Sequence, residues 1–305
     1  MADNSIINYR KFWLINAKGE RYDLTDKDVN HTFFNIPEGL GFQRKYTSER
    51  IGNSEIILSQ EFSFLDVTGE IVFFNVNNSL IYQDYQAFIS FISFTPLELH
   101  YQTANALETD AFYCKVMITT LDKSEISFED SIMRCPITFH RLSQWFTDAD
   151  KVYILQKEEI TNGKEYNLIR NYHYAGSILT GVSIYNDGTD DVGFVFQIDG
   201  RVKNPRFYLA QNGEIYGEAG VTGTYGCVII NSVDDEESIY LEKTSGTVVA
   251  NPKQYQDFAL ADGQTYLTWC KLKVGESVFS FSDQTQDPDF DGTITIRFKR
   301  SYISV

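Results

Sequence analysis

The feature that most constrains this chain is its beat of short alternating runs. "EIILSQEFSF" (55–64), "DVGFVFQIDG" (191–200) and "TITIRFKR" (293–300) put apolar residues at every second position and stop at turn residues. Successive side chains of a strand point to opposite faces, so such a run has one face to bury. Turn signals recur every 8–12 residues over much of the chain. That spacing indicates a β-sandwich or jelly roll. Composition agrees: 23 Phe and 19 Tyr suit a pleated, half-buried surface, and 43% hydrophobic residues can fill a sizeable core.

Read from the N-terminus, "KFWLINAKGERYDL" predicts a hairpin turning at Asn-Ala-Lys-Gly, and "PEGLGF" (37–42) is loop punctuation. In "EIILSQEFSF", Ile56, Leu58, Phe62 and Phe64 are expected on one face. "GEIVFFNV" reads as a short buried strand. One helix is expected, at about 78–94. There Ile81, Tyr85, Phe88, Ile89 and Ile92 form a single stripe, with Asn78 or Ser79 as the cap and Pro96 just beyond the end. Its task is to cover one face of a sheet. "FYCKVMITTLDKSEISF" predicts a hairpin turning at "LDKSE", and "RCPITFHRLSQWF" a strand ending at Trp145. The polar stretch 147–167 is expected to be an exposed joint between two β domains, 1–150 and 151–305, nicked early by proteases. In the second half, Asn-Asp-Gly (186–188) predicts a hairpin turn.

Charge narrows the partners. Residues 1–150 hold 12 Lys and Arg against 21 Asp and Glu, and residues 151–305 hold 14 against 21, so the net −16 is shared. Such a surface repels phosphates and disfavours stable binding to nucleic acid or an anionic membrane. The best local exception is Arg297, Lys299 and Arg300, read as one small basic face pairing with an acidic neighbour at a subunit contact. The polar N-terminus lacks an apolar signal core, and no run approaches the ~18 apolar residues of a membrane span. A soluble protein made in a cytoplasm is expected. Cys114 and Cys135 stand on either side of the turn near Lys123 and could face each other; buried reduced thiols are the expectation for all four cysteines, Cys227 and Cys270 included.

No candidate chemistry assembles. Asp287, Asp289, Asp291 and Gly292 open like an EF-hand loop, but the twelfth position is Phe298 and a strand follows where a helix is required. The 283–292 segment is therefore expected to be an acidic loop that does not depend on calcium. Asp187, Asp190 and Asp191 read as solvated turn residues. Gly220, Gly223 and Gly226 lack both the Lys-Ser/Thr of a phosphate loop and a following helix. His31, His100, His140 and His173 form no metal-spaced pair. Glu158 and Glu159 are neighbours that point apart. Trp13, Trp145 and Trp269 lie in apolar runs, where core packing is expected. No catalytic, cofactor or metal residue is assigned, and the chain is not expected to be an enzyme.

The order of segments carries a resemblance. "FWLINAKGERYDL", "GLGF", "IGNSEIILSQ", "GEIVFF", the Tyr- and Phe-bearing helix, "PLELHYQ" and "ITFHRLSQWF" together resemble the N-terminal domain of siphophage distal tail proteins (Dit). "IYNDGTDDVGFVFQIDGRVKNPRFYL" and "IRFKRSYISV" are similar to that family's C-terminal domain. The resemblance implies two β-sandwiches, the first with one packed helix and the second galectin-like. It also implies a hexameric ring at the phage tail tip, joining tail tube to baseplate hub and holding receptor-binding components. DNA would pass through the lumen without stable binding. The last strand, 293–305, is left to pair in either domain. The competing class is a carbohydrate-binding module or host-glycan adhesin, which need not oligomerise.

Overall fold

The computed structural model describes residues 9–25, 30–104, 106–127, 131–156, 178–221, 223–233, 238–243, 248–250, 258–260, 271–282 and 293–305. The chain forms two compact units, Met1–Ala149 with Ser301–Val305, and Asp150–Arg300.

In the first unit the strands are β1 (Lys11–Ile15), β2 (Arg21–Asp23), β3 (Thr32–Glu38), β4 (Phe42–Ile51), β5 (Ser54–Phe64) and β6 (Val67–Phe74); helix α1 (Asn78–Ile92) follows, then β7 (Leu97–Gln102), β8 (Phe112–Leu121), β9 (Ile132–Arg141) and the first residues of β10 (Trp145–Gln156), which continues past Ala149 into the second unit. The sheet runs β2-β1-β7-β8-β9-β6-β3, and β8 also pairs β10 through Phe112 and Tyr113. It curls until its two ends meet: the Phe34 amide donates to the Leu24 carbonyl at 2.7 Å. The expected first hairpin forms. Asn16 Oδ1 accepts from the amides of Lys18 and Glu20, and Gly19 takes φ +75°.

Inside the curl lie the inward side chains of alternating positions, among them Phe12, Leu14, Phe34, Ile71, Phe73, Leu97, Leu99 and Phe139. Helix α1 packs against β6 and β9. Ile81, Tyr85, Phe88 and Phe91 are its buried residues, whereas Ile89 and Ile92 are half-buried at the margin. Phe88 rests on Tyr22 and Phe73 at 5.2 and 5.7 Å. The cap is Asn77, one residue before the expected pair; its side chain accepts from the Ser79 amide because Asn77 keeps extended backbone (φ −131°, ψ 127°).

Two local expectations fail here. "ISF" is not the partner of β8; the chain runs on to β9, which pairs it from Val116↔Arg141 to Leu121↔Ile137. The run ending at Trp145 is two strands, since β9 stops at Arg141 and Trp145 opens β10. The proposed joint at 147–167 is also strand in its first part, to Gln156, and the rest lies outside the described residues.

The second unit carries β11 (Ile178–Asn186), β12 (Val192–Gly193), β13 (Val195–Lys203), β14 (Arg206–Gln211), β15 (Glu214–Val221), β16 (Thr224–Asn231), β17 (Ser238–Lys243), β18 (Val248–Ala250), β19 (Phe258–Leu260), β20 (Lys271–Leu272), β21 (Gly275–Ser282) and β22 (Thr293–Tyr302). One sheet contains β18-β17-β16-β13-β22, the other β11-β21-β14-β15-β19. Their inner faces meet through Phe196 of β13, whose ring lies 5.2 Å from both Phe207 and Phe279. This is a β-sandwich. Asn212-Gly213 makes the tight β14–β15 turn, with both residues at positive φ. Asn-Asp-Gly at 186–188 does not make a hairpin: β11 pairs β21, while β13 lies in the opposite sheet. The last strand pairs β13 over Thr293–Arg297, and Ser301–Val305 group with the first unit.

Candidate assembly surface

β4 and β5 stand apart as their own two-stranded sheet. All of β4 is exposed, as is β5 from Ser54 to Phe62, so this hairpin is an arm with water on both faces. Its turn is Gly52-Asn53, with Gly52 at φ +64°. Residues opposite each other share a face. Phe42 opposes Phe64, Arg44 opposes Phe62 and Tyr46 opposes Gln60; the other face holds Gln43–Ser63, Lys45–Glu61 and Thr47–Ser59. The first face is apolar and laced together: Phe42 meets Phe62 edge-on at 5.3 Å, and the Arg44 guanidinium lies 4.8 Å over the Phe62 ring.

A bulge then changes the pattern. Thr47 opposes Ser59 but Ser48 opposes Ile57, so Leu58 is extra. Ile57 continues the Phe62 face, and Ile56 moves to the opposite one. The expected single face of Ile56, Leu58, Phe62 and Phe64 is thus broken, because one added residue inverts a period of two. Nor is the run half-buried. Tyr46, Ile51, Ile57 and Leu58 are 55–64% exposed. The sequence signals were "IGNS", a two-residue turn, and charges on both parities of "FQRKYTSERI", Arg44 and Arg50 on one and Lys45 and Glu49 on the other.

The root of the arm is firmly tied. Gly39 sits at φ +83° so close to Asp66 that a Cβ would lie 1.9 Å from the Asp66 carbonyl oxygen. Asp66 faces His140 Nδ1 at 2.8 Å. Trp145 Nε1 donates to the Leu40 carbonyl at 3.2 Å, and Arg141 Nη1 to that of Gly41 at 2.7 Å. Arg141 is 2% exposed and lies over the Phe64 and Trp145 rings at 4.8 and 5.1 Å. Burial pushes its pKa down, against the Cys114 thiol beside it; burial pushes that thiol up to about 12.

The remaining candidates scatter. His31, His100 and His140 each face one carboxylate, of Asp84, Glu98 and Asp66, and none faces another histidine. Trp13 stacks on His100 at 5.1 Å, and Trp145 is fully buried. Cys114, Cys135 and Cys227 are in no disulfide; Cys114 and Cys135 lie on the paired strands β8 and β9 but at opposite ends of their ladder, which runs from Val116↔Arg141 to Leu121↔Ile137. Gly220 lies in β15 and Gly226 in β16, while Gly223 turns between them at φ +133° and donates to Asn204 Oδ1. Asp187 and Asp191 are not merely solvated. Asp187 pairs with Lys151 and Arg300, and Asp191 Oδ1 accepts from the Val274 amide. Arg300 consequently leaves the expected basic face: Arg297 and Lys299 share one parity of β22, and Arg300 takes the other and pairs within its own chain. His173, Glu158, Glu159, Trp269, Cys270, Asp287, Asp289, Asp291 and Gly292 lie outside the described residues. Among the described residues no group of three His, Cys, Asp or Glu is placed to hold a metal, and no helix is long and apolar enough to cross a membrane.

A curled sheet plugged by one helix, with this arm, matches a known domain. The family model described as "Distal tail protein, N-terminal domain" matches residues 11–142. Residues 11–142 are a distal tail protein domain. The whole chain shares the distal tail fold. It aligns with a chain of "Structure of the Phage P2 Baseplate in its Activated Conformation with Ca" at TM-score 0.58 and 16% identity, covering 97% of this chain and 99% of that one. It aligns with "SPP1 Dit (gp 19.1) Protein, a Paradigm of Hub Adsorption Apparatus in Gram-positive Infecting Phages" at TM-score 0.60 and 9% identity, covering 95% and 98%. A comparison with curated protein sequences gave no match.

Proposed function

We propose that this distal tail protein is a structural component of a phage virion, assembled in the bacterial cytoplasm as a hexameric ring between tail tube and baseplate hub. Its second unit is galectin-like and carries receptor-binding components outward. DNA passes through the ring without stable binding, and the protein is not an enzyme. One observation carries the ring: the β4–β5 arm. A lone two-stranded hairpin is marginal in water. Here it also exposes Phe42, Tyr46, Ile57 and Phe62 on one face. An apolar patch of this kind marks a protein contact. A ring joins unlike faces of successive copies, which suits an arm reaching from each subunit onto the next. The arm's three cations, Arg44, Lys45 and Arg50, balance Glu49, Glu55 and Glu61. It is therefore a neutral contact on a chain of net charge −16, where copies otherwise repel.

Mass photometry and negative-stain imaging of the purified chain test this. Six-fold rings are expected. A chain whose residues 45–61 are replaced by Asn-Gly, the turn that suits a two-residue hairpin, is expected to remain folded and monomeric. Monomers at every concentration, together with no ring in assembled particles, would overturn the reading; glycan binding by such monomers would favour an adhesion module. Retention of duplex DNA at low salt that weakens steeply with added salt would overturn passive passage.

A further inference from the structure

A buried guanidinium ordinarily has a carboxylate, because removing a charge from water is costly unless it is paired and bonded. Among the described residues Arg141 has none within ion-pairing distance. One nitrogen donates to the Gly41 carbonyl; Nε and Nη2 are buried without a hydrogen-bond partner among the described residues. The charge is held by that bond, by the Cys114 thiol beside it and by two aromatic faces, Phe64 and Trp145. These contacts fall on both ends of the arm. Gly41 immediately precedes β4, and Phe64 is the last residue of β5. A methionine or leucine would fill the same space without the desolvation cost, yet could not donate to Gly41. A buried charge left partly unbonded, at the root of an otherwise solvent-surrounded hairpin, calls for an explanation in what it holds.

We infer that Arg141 is the positioning residue of the arm, gripping its two strands at once so that the Phe42–Phe62 face is aimed before any second copy arrives. Trp145 assists by donating to Leu40 on the incoming side. The inference rests on the ring reading only for its assembly readout. The aiming itself is measured within one chain.

The experiment places spin labels on non-natural residues at Ser54, beside the arm's turn, and at Gln86 on α1, diluted with unlabelled protein so that only intrachain distances are read. The unaltered chain is expected to give one narrow distance. Arg141→Met is expected to keep its Tm within a few degrees, broaden the distance distribution at least two-fold and lower the ring population at least ten-fold. An unchanged narrow distribution in Arg141→Met overturns the inference, whatever the ring does. Where Arg141→Met does not fold, Arg141→Lys, which keeps the charge but loses the planar fork, is read by the same distances and the same criteria. The arm-shortened chain keeps the two ideas apart: rings formed without the arm would show that the arm is not the ring contact, while the Ser54–Gln86 distance in the full-length chain still judges Arg141.

Discussion

Lys151 Nζ lies 2.6 Å from Asp187 Oδ1, joining the start of the second unit's chain to the loop after β11. Arg300 reaches the other oxygen of the same carboxylate at 3.6 Å. Partial burial works against the Asp187 charge, but the bonds from Lys151 and from its own backbone, with the charges of Lys151 and Arg300, outweigh it and hold the group below its ordinary value. A depressed pKa contributes stability that is present above the unfolded value, near 4, and lost as pH falls through the folded value. Asp187→Asn is therefore expected to lower Tm at pH 7 by about 1–3 °C, the scale of an exposed ion pair. The difference should narrow as pH falls below the unfolded value near 4, as a pH series of thermal melts would record.

Asp190, three residues on, carries the opposite sign. Burial raises its pKa and the neighbouring Asp191 charge adds to this; the Asp191 amide bond and Lys271 oppose. Here the folded chain disfavours the charge, so stability is full below the unfolded value and falls as pH rises through the folded one. Asp190→Asn should raise Tm slightly at pH 7, since its Oδ1 still accepts from the Asp191 amide, which it meets at 2.8 Å. The gain should vanish near pH 3, below the carboxylate range. A loss at neutral pH would contradict the assignment.

Phe88→Ala should be the costliest single change in the helix. Phe88 is fully buried between Tyr22 and Phe73, and a Phe-to-Ala cavity costs about 3–5 kcal/mol. Urea unfolding should show the loss, whereas Ile89→Ala, at the margin of the same stripe, should cost markedly less.

Gly39 and Gly52 separate strain from contact. Both have positive φ, which costs a residue with a Cβ about 1–2 kcal/mol. A Cβ at Gly52 meets nothing within 4 Å, but one at Gly39 meets backbone at 1.9 Å. Gly52→Ala should lose only the strain. Gly39→Ala should lose considerably more and loosen the arm root, visible as faster amide exchange at Leu40 and Gly41. Equal losses would mean that the root is not tightly packed.

Much of the fold was legible because its signals are local. The α1 stripe places Ile81, Tyr85 and Phe88 on one side at any orientation of the helix, and Asn212-Gly213 supplies its own turn conformation. "LELHYQ" became β7, and the alternating run "TITIRF" became part of β22 with Ile294, Ile296 and Phe298 buried. Asn77 took the cap from Asn78 and Ser79 because capping depends on which residue leaves helical backbone, a difference of one position that composition does not mark.

The chain alone therefore determined that strands form, where the helix lies and which side chains are apolar, since these follow from backbone preference and period. It did not determine partners in space. Asn186-Asp187-Gly188 looks like a hairpin turn, but pairing energy from β21 drew β11 into the other sheet. Arg300 looks like part of a basic face until β22 is seated and Asp187 is beside it. "EIILSQEFSF" looks like a core strand; only the Leu58 bulge and the solvent around β4 and β5 reveal an arm. Each difference has one physical cause: burial and pairing between residues far apart in sequence are decided by the closed tertiary structure, and a period of two carries no record of what lies opposite.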